Sequence, residues 1–307
     1  MTLLEKEWFI EVPWGRICVV AWGECSDPPV LLCHGSVDTA VCFRPLVKLL
    51  PKNFYYVSIE LPGNGKSDHY PAGMMISAYD LVYAMAAVVR HFRWQTFDYM
   101  AHSYGTLIGF LYNISYPGAM TKIVNFDPVP MGMTVSPKEF GTWYHRHFTK
   151  YYENFDAYNT PKENGPRYTW QEALNKLMEN RGLSEKNAAA TLERVSEPVG
   201  DGLVRYTFDQ RMKLVNRPPF SPDQLVKLVT SVRTPTLSII AKDTLDKGDY
   251  GNLRHLLDQS QHPHGNYRAI VLEGGHDVHF ENPERMAGFV GQFLLYGLKG
   301  FDSKAKL

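Results

Sequence analysis

The sequence predicts an α/β chain, with a mostly parallel central sheet flanked by helices and a helical cap inserted into it. Short β-rich apolar runs at 17–22, 29–33, 54–59 and 97–101, each bounded by Gly, Pro or polar turns, alternate with helical patterns. From about residue 131 to 229, strand signals give way to tyrosine-rich and charged helical segments. The strand rhythm resumes at 235–241 and 268–272. The expected organisation is therefore a core of 1–130 and 230–307, interrupted by a cap of 131–229.

The elements follow from local chemistry. Leu81, Ala84, Met85, Val88 and Phe92 recur at helical spacing, as a crossover helix packed on a parallel sheet requires. A strand at 123–126 follows the helix expected after Ser103. Thr169-Trp170-Gln171-Glu172 is a capping-box pattern that opens one cap helix, and Ser184 caps another. Pro218, Pro219 and Pro222 mark an exit loop, and a final helix begins near Pro283. The sequence contains no internal repeats or low-complexity segments.

Composition narrows the function. A chain of 307 residues buries a sizeable core without disulfides, and 32 Lys and Arg balance 32 Asp and Glu. No basic footprint for nucleic acid or an anionic membrane stands out, so a neutral or apolar partner is expected. Thirteen per cent aromatic residues fits an aromatic-lined pocket, although large core residues account for most of them. Cys18, Cys25, Cys33 and Cys42 match neither a zinc pattern nor a disulfide framework and are read as buried free thiols of a reducing compartment. The opening Met-Thr-Leu-Leu-Glu-Lys-Glu-Trp lacks the apolar stretch of a secretory peptide, and no run has the length of a membrane span. An intracellular, soluble protein is expected. Ala305-Lys306-Leu307 is a close variant of the S-K-L peroxisomal address, so the peroxisomal import receptor is an expected partner and the peroxisome the expected location.

Three motifs carry chemistry. The run at 97–101 leads into Ala101-His102-Ser103-Tyr104-Gly105 and then a helical stretch, the strand, turn, nucleophile, helix order of a nucleophile elbow. Small residues must flank the nucleophile because the strained turn brings backbone close. Upstream, 29–33 ends in His34-Gly35-Ser36-Val37, so the N–H groups of Ser36 and Tyr104 are candidate oxyanion donors. His34, Gly35 and His102, beside them, are the candidate substrate contacts. Pro62-Gly63-Asn64-Gly65-Lys66-Ser67 is a turn cluster assigned to structure. Near the C-terminus, Glu273-Gly274-Gly275-His276-Asp277 offers His276 as general base, in preference to His279. The chain order Ser, acid, His places the carboxylate between Ser103 and His276. Asp243 is preferred for its closeness to a strand end, with Asp246 as alternative and Asp127 as a third option.

Together these residues resemble the α/β-hydrolase superfamily across nearly the whole chain. The likeness extends to the serine hydrolase-like proteins of animals through C-H-G-S-V-D-T-A at 33–40, E-L-P-G-N-G-K-S at 60–67 and G-D-G-L-V-R-Y-T-F-D-Q-R at 200–211. The resemblance implies an α/β-hydrolase fold, a serine nucleophile and, from the C-terminus, peroxisomal location. It leaves the substrate unnamed. Ala101 stands where the elbow usually has its first Gly, Glu60 where Asp is commoner, and the acid loop lacks the familiar Gly-x-x-Asp. The expected reaction is acyl transfer to water from a small apolar or lipid-like ester or thioester, with no metal or organic cofactor. Two alternatives stay open: a hydrophobic-ligand-binding protein on the same scaffold, and an epoxide hydrolase or dehalogenase using cap tyrosines Tyr144, Tyr151, Tyr152 and Tyr158.

Overall fold

A computed structural model describes residues 4–128 and 134–302. Eight strands, numbered along the chain, form one sheet in the order β1 (Glu5–Val12), β2 (Gly15–Trp22), β4 (Tyr55–Ile59), β3 (Pro29–Cys33), β5 (Phe97–His102), β6 (Met120–Phe126), β10 (Thr236–Ala241) and β11 (Tyr267–Leu272). The pairs β1–β2 and β2–β4 are antiparallel; every pair from β4 to β11 is parallel. Strands covered on both faces read as continuous apolar runs, which is why Val30-Leu31-Leu32-Cys33 and Phe97 to His102 are buried throughout.

Alternation across the pleat divides the core in two. Leu31, Val57 and Tyr99 face one side, where they pack with Leu81, Met85 and Val88 of α1 (Ala78–Phe92) and Leu107 and Leu111 of α2 (Tyr104–Ser115). Val30, Leu32 and Met100 face the other. There, Leu174 of α3 (Trp170–Arg181) and Leu192 of α4 (Glu185–Val195) extend the same apolar cluster. Leu225 of α5 (Pro222–Ser231) joins the first cluster, and Met286, Val290 and Phe293 of α6 (Glu284–Tyr296) join the second. Reciprocal side-chain and backbone hydrogen bonds between Ser77 and Asp80, and between Thr169 and Glu172, open α1 and α3.

The structure adds three features to the sequence reading. β1 is an edge strand whose outward charges hide its pattern. The inserted region contains a small sheet, β7 (Tyr168–Thr169), β9 (Leu203–Tyr206) and β8 (Ser196–Pro198), whose strands of two to four residues are too short to show periodicity. Cys25 is exposed, whereas Cys18, Cys33 and Cys42 are buried free thiols. No helix among the described residues is long and apolar enough to cross a membrane. Ala305-Lys306-Leu307 lies outside the described residues.

Candidate active site

The carboxyl ends of β3, β5, β6 and β11 converge, and each delivers one part of the site. At the end of β5, Ser103 takes φ 49° and ψ −116°, a left-handed backbone that a residue with a side chain enters only under strain. Hydrogen bonds hold it there. Its N–H donates to the Phe126 carbonyl (3.0 Å), and its own carbonyl accepts from the Thr106 N–H (3.0 Å) and hydroxyl (2.6 Å). Gly105 is required by close approach, since a Cβ there would lie 2.4 Å from the Cys33 carbonyl oxygen. The buried Tyr99 donates its hydroxyl to the Gly105 carbonyl (2.7 Å) and fixes the start of α2. Ala101 is fully buried within β5.

His276, on the loop after β11, is partly exposed, and its Nδ1–H donates to Asp127 Oδ2 at 2.5 Å. That leaves Nε2 free of the carboxylate. Burial draws the His276 pKa down, but the hydrogen bond and charge of Asp127 outweigh it, so the imidazole sits above its ordinary range. Asp127 follows β6, is fully buried, and also accepts from the Ala241 N–H (2.9 Å) and the Thr244 hydroxyl (2.5 Å). The carboxylate on His276 is therefore Asp127, not the expected Asp243 or Asp246. Asp243 is exposed and donates its N–H to the Gly274 carbonyl (3.2 Å); Asp246 is exposed and paired with Lys242. The end of β10 and the residues after it do reach the His276 partner, through Ala241 and Thr244, which both donate to Asp127. Both Asp127 and Asp243 satisfy the chain order, and only the three-dimensional meeting of β6 with the His276 loop separates them.

The expected substrate contacts are also corrected for two side chains. His34 is fully buried: Leu61 N–H donates to its Nε2 (3.0 Å), so Nδ1 carries the proton and donates to the Gly35 carbonyl (2.7 Å). It holds the turn and has no face for a ligand. His102 is buried too, and its Nε2–H donates to the His276 carbonyl (3.0 Å), which ties the His276 loop to the end of β5. Gly35 is required by close packing, because a Cβ there would come within 2.9 Å of His102 Nδ1 and 3.2 Å of Ser103 Cβ. His279 is fully buried, stacked 4.1 Å from His102, with both ring nitrogens unpartnered among the described residues. Burial pushes its pKa down to about 3 and holds that of His102 well below the usual value, so both rings are neutral at pH 7.

Ligand-type atoms of Asp38, His102, Asp277 and His279 lie within 4.8 Å of one another. The guanidinium of Arg181, at the end of helix α3, already supplies the positive charge there. It binds Asp38 through two bonds (2.9 and 3.0 Å) and Asp277 through one (2.5 Å). Asp277 adjoins His276, so helix α3 is tied to the His276 loop. Ser184 N–H to Glu281 (2.9 Å) and Asn187 to the Phe280 carbonyl (3.2 Å) extend that tie. A second clamp explains Glu60: its buried carboxylate accepts from Arg194 of α4 (2.5 Å) and from the Lys66 N–H (2.7 Å). In the 200–211 motif, Asp209 and Arg211 pair within the core, and Arg211 also donates to the Tyr70, Pro71 and Met74 carbonyls.

A cleft of about 700 Å³ is lined by Ser36, Val37 and Tyr104, the neighbour of Ser103, and by Val135, Trp143, Arg146, His147, Met212, Lys213, Val215 and Arg217, among others. Ser36 is exposed and Tyr104 stands directly after Ser103. The cap tyrosines Tyr144, Tyr151, Tyr152 and Tyr158 do not line it.

Comparison with known proteins identifies the fold and the family. The model of the alpha/beta hydrolase fold family matches residues 28–283. The serine hydrolase-like protein of Danio rerio is 29% identical over 298 residues, covering 94% of this chain and 88% of that protein. Serine hydrolase-like protein 2 of Homo sapiens is 27% identical, covering 95% and 94%. Among solved structures, a hypothetical protein from Pseudomonas aeruginosa PAO1 superposes with a TM-score of 0.80 at 22% identity (94% and 97% covered). The thioesterase domain from the curacin biosynthetic pathway superposes with 0.73 at 19% identity (94% and 99%).

Proposed function

The chain belongs to the alpha/beta hydrolase fold family, and from that premise we propose that it is a serine hydrolase cleaving a carboxylic ester or thioester through an acyl-enzyme. The observation that carries the reading is the Asp127–His276 hydrogen bond beside a serine held at φ 49°. Asp127 keeps the proton on Nδ1, so Nε2 is the base that takes the Ser103 proton. The alkoxide attacks the carbonyl, and the N–H groups of Ser36 and Tyr104 receive the oxyanion. His276 returns the proton to the leaving group, and water then releases the acyl group by the same route. Val37, Val135, Met212 and Val215 give the acyl chain an apolar seat. Carboxylate-nucleophile chemistry, as in epoxide hydrolases and dehalogenases, is disfavoured by Ser103 at the elbow and by cap tyrosines away from the cleft. Peroxisomal import through Ala305-Lys306-Leu307 is part of the proposal.

The test is a rapid-mixing experiment with p-nitrophenyl butanoate, followed by peptide mass analysis of quenched protein. A burst of p-nitrophenol with butanoylated Ser103 is expected. Folded protein that turns over no member of an ester and thioester panel would leave a ligand-binding role as the better reading.

A further inference from the structure

We propose that the cleft binds an anionic group of the substrate, a carboxylate or phosphate, through Arg217 with Arg146 beside it. This rests on the hydrolase reading and adds a substrate class to it. The chain has no net charge, yet the cleft is lined by Arg146, Lys213 and Arg217 against one carboxylate, Glu139. Glu139 is spent locally, accepting from the Ser136 N–H (3.1 Å) and hydroxyl (2.5 Å). Lys213 is held by Gln210 (2.8 Å) and lies over the Phe208 ring.

Arg217 is different. It is half-buried, with its guanidinium 5.1 Å from the centre of the Tyr104 ring, and no carboxylate pairs with it among the described residues. Residues 129–133, Val-Pro-Met-Gly-Met, contain no acid. The arginines buried between cap and core behave otherwise: Arg181 holds Asp38 and Asp277, Arg194 holds Glu60 and Glu7, and Arg211 holds Asp209. Burial lowers the Arg217 pKa and Arg146 lowers it further, with Tyr104 opposing. A guanidinium withdrawn from water costs free energy unless an anion meets it. Here the missing anion would enter with the substrate, beside the residue whose N–H faces the oxyanion. Two guanidinium groups at one cleft suit the paired oxygens of a carboxylate or phosphate. The expected substrate is thus an acyl compound with an apolar chain and an anionic group, rather than a wholly apolar ester.

The test uses two matched pairs. p-Nitrophenyl adipate with a free carboxylate against its methyl ester places the charge on the acyl side; hexanoyl-coenzyme A against hexanoyl-N-acetylcysteamine places phosphate on the leaving group. In at least one pair, wild-type kcat/KM should favour the anionic member by about tenfold, the scale of one charge-assisted hydrogen bond, and Arg217→Gln should abolish that preference. A wild-type preference for the neutral member of both pairs, or an anionic preference that survives Arg217→Gln, would overturn the proposal. Fluorophosphonate labelling of wild-type Ser103 separates the two readings. If wild type is unlabelled, the hydrolase reading fails and calorimetric titration with adipate decides the anion site. Binding that is lost in Arg217→Gln, with circular dichroism unchanged, supports it; no binding, or equal binding, overturns it.

Discussion

Comparing Asp127→Asn with Asp243→Asn separates the carboxylate that touches His276 from the one preferred in sequence for its closeness to a strand end. The wild-type carboxylate accepts three hydrogen bonds while fully buried: from His276 Nδ1, Thr244 Oγ1 and the Ala241 N–H. Asparagine has one acceptor oxygen. If that oxygen stays on Ala241, the amide N–H₂ faces His276 and Thr244, and Nδ1 must accept instead of donate. The ring proton then moves to Nε2, the nitrogen that has to receive the Ser103 proton. In Ser-His-Asp triads this tautomer error lowers kcat by about 10⁴-fold, which corresponds to about 5.5 kcal/mol of barrier. The pH profile has a definite sign. Turnover needs neutral His276, so activity is lost as pH falls through a pKa held above the ordinary imidazole range; without Asp127 the remaining acid limb moves to lower pH. The assay is kcat between about pH 5 and 9 for wild type, Asp127→Asn and Asp243→Asn, with folding checked by circular dichroism. Near-wild-type activity is expected for Asp243→Asn, whose side chain is exposed. Equal losses in the two variants, or a fully active Asp127→Asn, would refute the assignment.

Other consequences are measurable. Arg181→Met leaves the side chains of Asp38 and Asp277, 1% and 6% exposed, without their cation; a loss of about 3–5 kcal/mol in urea unfolding is expected, and a change below about 1 kcal/mol would mean that these ion pairs are not what holds helix α3 to Asp38 and the His276 loop. His279 is buried neutral with its pKa pushed down to about 3. Its contribution to stability is full above the unfolded value near 6.5 and declines as pH falls from there towards 3, at up to about 1.4 kcal/mol per unit. His279→Phe should therefore flatten the acid limb of the stability curve, and an unchanged slope would count against a neutral buried ring. A fluorescent fusion that keeps Ala305-Lys306-Leu307 at its C-terminus should concentrate in peroxisomes and disperse when the tripeptide is deleted; identical distributions would remove the targeting proposal.

The parallel part of the sheet was legible because its strands are buried on both faces. Val30 to Cys33 and Phe97 to His102 carry their burial in their composition, and α1 carries its own in the spacing of Leu81, Met85 and Val88. The elbow and His276 were legible because small residues and turns around a nucleophile are local features. Edge strand β1 and the short strands β7 and β8 were not, since exposed or very short strands bury too little to leave a pattern. The carboxylate partner of His276 was hidden for another reason: Asp127 meets His276 across 149 positions of sequence, and closeness to a strand end, the local cue that favoured Asp243, does not report that meeting. His34 and His102 look like site residues in sequence because they flank one. Only their buried hydrogen bonds to Leu61, Gly35 and His276 reveal that they build the site from behind.

The most direct test of an activated serine is treatment of the purified protein with a fluorophosphonate and location of the adduct by peptide mass spectrometry. A single adduct on Ser103 is expected, absent from Ser103→Ala and strongly slowed in His276→Ala. Well-folded protein that stays unlabelled, or that is labelled at another residue while Ser103 stays free, would contradict a nucleophilic Ser103 served by His276 and Asp127.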